Sequence, residues 1–125
     1  MKALLIISAI VEGVAGALLL VVPALPVAML LGAPLDAPVA TVAARLAGAA
    51  LSSLGIVCWA LRDIEGGILG LIAALAFYNA AAIVVLGYCG NSFGLRGPLF
   101  WPAVLLHLAL ELWCLRVLWS DRSTA

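Results

Sequence analysis

Charge is scarce in this chain: only 10% of its 125 residues are Asp, Glu, Lys or Arg, and six basic residues balance six acidic ones. A chain without net charge carries no electrostatic footprint for a polyanion, which excludes nucleic acid as a partner. Histidine occurs once, at His107, so a haem held by two histidines is excluded, while a single axial ligand stays open. Cys58, Cys89 and Cys114 have no CxxC spacing, so they form neither a redox motif nor a zinc knuckle and read as small apolar fillers. Phosphate loops, dinucleotide fingerprints and nucleophile–base pairs are missing too, and the sequence therefore specifies no catalytic residue and no cofactor. What remains is apolar. At 67% hydrophobic residues the chain far exceeds the roughly one-half of soluble domains. A soluble fold of this size could not hide so much apolar surface, whereas a lipid bilayer removes the need to hide it.

The apolar residues fall into four runs of membrane-spanning length, about residues 3–22, 38–61, 67–87 and 98–119, each near the ~20 residues that cross a hydrocarbon core. The first run resembles a signal peptide at Lys2 and at Ala15-Gly16-Ala17, but it continues to Val22 and holds Glu12, so it reads as a retained transmembrane helix. Pro23 and Pro26 end it. Val27 to Leu31, closed by Gly32, is too short to span and reads as a helix lying in the interface. Asp36 is a candidate N-cap for the second span, and Pro98 suits the first turn of the fourth. The fold class expected is all-α: a four-helix transmembrane bundle, in one domain, with a short interfacial helix after helix 1. Four spans place both termini on one side. Lys2, Arg62, Arg116 and Arg122 flank the spans there against Arg96 and the deeper Arg45 opposite, which puts the termini in the cytoplasm. Trp59 and Trp119 then anchor the inner interface, and Trp101 and Tyr88 the outer one.

Polar residues inside the spans carry the functional signal. Gly48, Ser52 and Gly55 share one face of the second span, where small residues let another helix approach, and Arg45 tops that face. Gly66 and Gly70 suggest a second small-residue seam, serving the bundle, a second copy of the chain or a larger membrane complex. At ~1.5 Å of rise per residue, Arg45 lies ~10 Å from the outer end of its helix, Asn79 ~12 Å, His107 ~13 Å and Glu12 ~15 Å. One polar group per helix thus falls in a single layer. Glu111 follows one turn below His107, and Cys114 continues the same face. A charge at the bilayer centre costs roughly 2.5–3.5 kcal/mol, so a Glu12–Arg45 ion pair completed by Asn79 and His107 is expected. Such a pair either fixes helix packing, or forms with His107 and Glu111 a titratable site for a proton or small ligand. A third option is an accessory subunit of a membrane complex. His107, Glu111 and Cys114 come from one helix with no second histidine, so no metal site is expected.

The chain resembles small four-helix bacterial membrane proteins of the DoxX-like type. The likeness rests on Glu12, on Pro23 with Leu30-Leu-Gly-Ala-Pro34, on Ala44-Arg-Leu-Ala-Gly-Ala-Ala50, and on Leu54-Gly-Ile-Val-Cys-Trp-Ala-Leu-Arg62. Tyr78-Asn79 and Trp101-Pro-Ala-Val-Leu-Leu-His107 extend it over nearly the whole chain. The resemblance implies a bacterial inner-membrane location and carries over no catalytic residue. Glu12 is also similar in position to the membrane-embedded glutamate of small multidrug transporters, which exchange protons for cationic drugs. Arg45 beside it would quench that exchange.

Overall fold

The computed structural model describes residues 1–64 and 66–122. Glu65, residues 123–125 and the side chain of Arg122, counted in the charge bias, lie outside the described residues. Among the described residues five helices follow one another: α1 (Lys2–Val21), α2 (Ala24–Leu31), α3 (Pro38–Leu61), α4 (Leu69–Ser92) and α5 (Phe100–Arg122). Four are long and apolar enough to cross a membrane, and the eight-residue α2 is the short element expected after the first span. Val39 is 81% exposed and Phe77 78%. Apolar side chains left bare on every long helix need a hydrocarbon solvent, which makes this a multi-pass membrane protein.

The bundle is built from two antiparallel pairs, α1 with α3 and α4 with α5. In the first pair, backbone lies on backbone. A Cβ added at Gly16 would stand 2.5 Å from Ser52 N and 2.7 Å from Gly48 O; one at Gly48 would stand 2.6 Å from Leu20 N, and one at Gly55 2.8 Å from Gly13 N. The expected small-residue face of Gly48, Ser52 and Gly55 is therefore the α1 contact. Leu4, Leu5 and Ala9 of α1 and Cys58 of α3 then meet Ile72, Leu75 and Ala76 of α4 and Leu110 and Cys114 of α5 in one core. Lys2 Nζ pairs with Asp63 Oδ1 at 2.5 Å, joining the start of α1 to the loop after α3, and Arg62 Nε lies 3.3 Å from Asp63 Oδ2.

Helix boundaries depart from the sequence expectation where glycine changes role. Gly66 and Gly67 adopt left-handed φ angles of 85° and 71° in the loop, and a Cβ at Gly70 would meet nothing within 4 Å. Gly66 and Gly67 make a turn, Gly70 lies in the first turn of α4, and among the described residues no helix of this chain packs on them as a seam. At its other end α4 runs through Gly87 and Gly90 to Ser92, because Gly90 takes the ring of Phe100 against it and does not end the helix. Asp36 is not a cap either: Ala37 holds the N-cap position of α3 without a side-chain hydrogen bond, and Pro38 opens the helix. At the opposite end of the bundle, the last carbonyls of α2 are capped from a distance. Gly97 N donates to Leu30 O at 2.9 Å and Leu99 N to Met29 O at 2.8 Å. Gly97 lies so close to Met29 O that any side chain there would collide.

Candidate functional site

The buried face of α1 carries Ser8 and Glu12, one helical turn apart and each 1% exposed. Facing them, α4 contributes Tyr78 and Asn79, and α5 contributes His107. Asn79 is wholly buried; its Nδ2 donates to Leu75 O at 2.8 Å, and its Oδ1 lies 2.8 Å from His107 Nδ1. Leu75 O can only accept, which fixes the amide orientation and leaves Asn79 Oδ1 as the acceptor opposite the imidazole. His107 Nδ1 therefore carries the proton, and in the neutral ring Nε2 is left as an acceptor. The Tyr78 ring meets the His107 ring edge-on, with centroids 5.6 Å apart at 78°. Its hydroxyl is the polar neighbour of the Glu12 carboxyl. One connected layer results, running Glu12, Tyr78, His107, Asn79.

Arg45 is not part of it. The side chain is exposed, and among the described residues it makes no hydrogen bond or ion pair. Two geometric facts separate it from Glu12. The glycine contacts set a register in which Gly48 lies level with Leu19 and Leu20, and Gly55 level with Gly13. Arg45 thus stands near the outer end of α1, about ten residues or ~15 Å along the axis from Glu12. Depths counted from the helix ends misjudged this, because α3 projects beyond α1. Around the helix, Arg45 is roughly 60° from Gly48, on the opposite side of the α1 contact from Cys58, which enters the core. The expected ion pair is replaced by a carboxyl with a phenol beside it.

Glu12 Oε1 and Ser8 Oγ are buried with no hydrogen-bond partner among the described residues, and so is Glu111 Oε2. Glu111 lies one turn from His107 and is only partly buried; Cys114 beside it is fully buried. Cys58 lies near Glu12, and Cys114 near both Glu111 and Cys58, while all three cysteines are free thiols. Among the described residues no three His, Cys, Asp or Glu side chains converge on a point where a metal ion could sit. What is buried instead is a pair of oxygens one turn apart on α1, Glu12 Oε1 and Ser8 Oγ, with His107 linked to the carboxyl through Tyr78.

Glu12, Asn79 and His107 are the sequence candidates that the fold brings together. Ser8 and Tyr78 belong with them and were not singled out from the spacing of polar residues. Ser8 had a signal, standing four residues before Glu12 and so on its face. Tyr78 had none in the spacing, because it is adjacent to Asn79 and a helix turns adjacent side chains ~100° apart. Compared with protein-family models, with curated proteins and with solved structures, the chain matches none.

Proposed function

We propose that this membrane protein holds, in its interior, a site for a proton or a small hydrogen-bond-donating cation, with Glu12 as the group that binds it. One observation carries the proposal: the Glu12 carboxyl is 1% exposed and, among the described residues, has an unpartnered oxygen and no cationic side chain beside it. A carboxylate withdrawn from water must be neutralised, by a proton or by a cation. Ser8 Oγ, one turn away on α1, adds acceptor capacity, and His107 Nε2 is a further acceptor on α5 beyond Tyr78, which suits a donor ligand such as an ammonium group. Asn79 orients the imidazole, and Tyr78 donates to the carboxylate when it is ionised.

Proton-coupled export of small cations is a second reading, favoured by the position of Arg45. Sited away from Glu12, the guanidinium does not quench the carboxyl. The location we propose is a bacterial inner membrane, as in the DoxX-like proteins the sequence resembles, with both termini cytoplasmic from the distribution of Lys2, Arg62 and Arg116.

The test is thermal stability of the detergent-purified protein from pH 4 to 9, for wild type and Glu12→Gln, without and with methylammonium. A pH-dependent transition in the wild type that Glu12→Gln abolishes, with the variant folded, is the expected outcome. Methylammonium should raise the wild-type melting temperature only where Glu12 is ionised. A wild-type profile flat across this range, with no response to the cation, would sink the proposal and leave the layer as packing.

A further inference from the structure

A second feature lies on the outer surface of the α1–α3 pair, on the other side of its glycine contact from Glu12. Ala9, Ile10, Gly13, Ser52, Gly55, Ile56, Trp59 and Ala60 line an open, almost wholly apolar groove of about 400 Å³. Its length is informative. From Ser52 to Ala60 it extends eight residues, or ~12 Å along α3, close to the ~15 Å depth of one leaflet's hydrocarbon. Its lower end is basic. The Arg62 guanidinium lies 4.1 Å from the centroid of the Trp59 ring that walls the groove. Asp63 joins Lys2 to Arg62, so among the described residues of this cluster two cations stand against one anion.

We propose that this groove holds one acyl chain of an anionic phospholipid, whose phosphate is bound by Arg62 and Lys2. A lipid tail ends at the bilayer midplane, and so does the groove. A transmembrane helix would continue past it along the same strip of α3 and would have to bury Arg45, an exposed guanidinium with no counter-charge among the described residues. Trp59 serves as the wall at headgroup depth, where indoles favour the interface. The phosphate displaces part of the Asp63 interaction and takes the donors of Arg62 not spent on the Nη1 hydrogen bond to Trp59 O. Ligand and site are thus matched in length, polarity and charge.

Gly13 supplies the means to test it, because a Cβ there meets nothing within 4 Å and a larger side chain can fill the groove without breaking the helix contact. Native mass spectrometry would count lipids retained by the purified full chain after exposure to equal amounts of phosphatidylglycerol and phosphatidylcholine. Wild type should retain one phosphatidylglycerol with a preference of about fivefold, the size set by one net basic residue near a headgroup. Gly13→Leu should abolish retention, as should Ala60→Trp, a second filling variant in case the first does not fold. Gly70→Leu, equally open but on α4, should behave as wild type. Lys2→Ala with Arg62→Ala should keep a lipid but lose the preference. Equal retention of both lipids by wild type, or unchanged retention in the filled variants, overturns the proposal. A lipid-free dimer that Gly13→Leu dissociates would also overturn it, assigning the groove to a second copy of the chain.

Discussion

The two helix pairs of this protein solve the same problem by different means. Water supplies no force to press helices together in lipid, so packing and hydrogen bonding must do it. Between α1 and α3, glycines leave only the short Ser52 side chain at the crossing beside Gly16, and the backbones approach closely at Gly16, Gly48 and Gly55. Between α4 and α5, side chains span the gap: the buried Asn79–His107 hydrogen bond near mid-membrane and the Phe100 ring against Gly90 at the end. The first contact is insensitive to protonation and tolerates no added atoms. The second contains an imidazole and, at Tyr78, lies against a carboxyl, so on the proposed reading it would couple helix packing to the ionisation of the interior. A rigid wall and a responsive wall therefore enclose Glu12.

The sharpest way to break this contrast is to overpack the first wall. Gly16→Leu or Gly48→Leu should destabilise the protein by roughly 3 kcal/mol or prevent assembly, because the colliding atoms belong to backbone. Gly13→Ala, one turn away, should be close to neutral by the same melting measurement. Next comes the second wall. Asn79→Leu strands a buried imidazole N–H and should cost about 1–3 kcal/mol. The double variant Asn79→Leu with His107→Leu should cost less than the sum, with a coupling of about 0.6–1.7 kcal/mol in a double-mutant cycle. Strict additivity would mean that the bond does not hold α4 to α5. Tyr78→Phe should cost about 1 kcal/mol, and that cost should appear only where Glu12 is ionised.

The smallest effect belongs to the exposed ion pair. The hydrogen bond from Lys2 holds the Asp63 carboxyl below the usual carboxylate range, with the charges of Lys2 and Arg62 adding to it. Folded Asp63 thus binds a proton less readily than unfolded Asp63. Its contribution is full above the ordinary carboxylate range and fades as pH falls through it. Because the pair is open to solvent, Asp63→Asn should leave the melting temperature unchanged within error at neutral pH in physiological salt.

Much of this organisation was legible in the sequence. Four long apolar runs and a short one between prolines gave the spans, because length and composition decide whether a segment crosses a bilayer. Gly48, Ser52 and Gly55 gave the α1–α3 contact, because their spacing fixes a helix face whatever the neighbours are. Asn79 and His107 were rightly placed at one depth, since α4 and α5 meet there. Arg45 failed for a reason specific to bundles: depth along one helix says nothing about the vertical offset between two, and that offset is set by which glycines interlock. The ends of α4 failed because glycine has two uses, as a left-handed turn at Gly66 and Gly67 and as a close-contact surface at Gly90. Only the partner, Phe100, distinguishes them.

The capping of α2 by the segment before α5 makes the two ends of the molecule mechanically unequal. At that end, two backbone hydrogen bonds, from Gly97 N and Leu99 N, latch an element that touches both α1 and α5. At the other end, the link from α3 to α4 passes through the paired glycines Gly66 and Gly67. At that same end the core of Leu4, Leu5, Cys58, Ile68, Ile72 and Cys114 joins the two helix pairs, so side-chain packing holds the pairs together there while backbone hydrogen bonds hold α2 at the other end. Amide hydrogen exchange reads this directly. Gly97 and Leu99 should be protected and Gly66 and Gly67 should exchange rapidly, and the reverse order would mean that the α2 latch does not form.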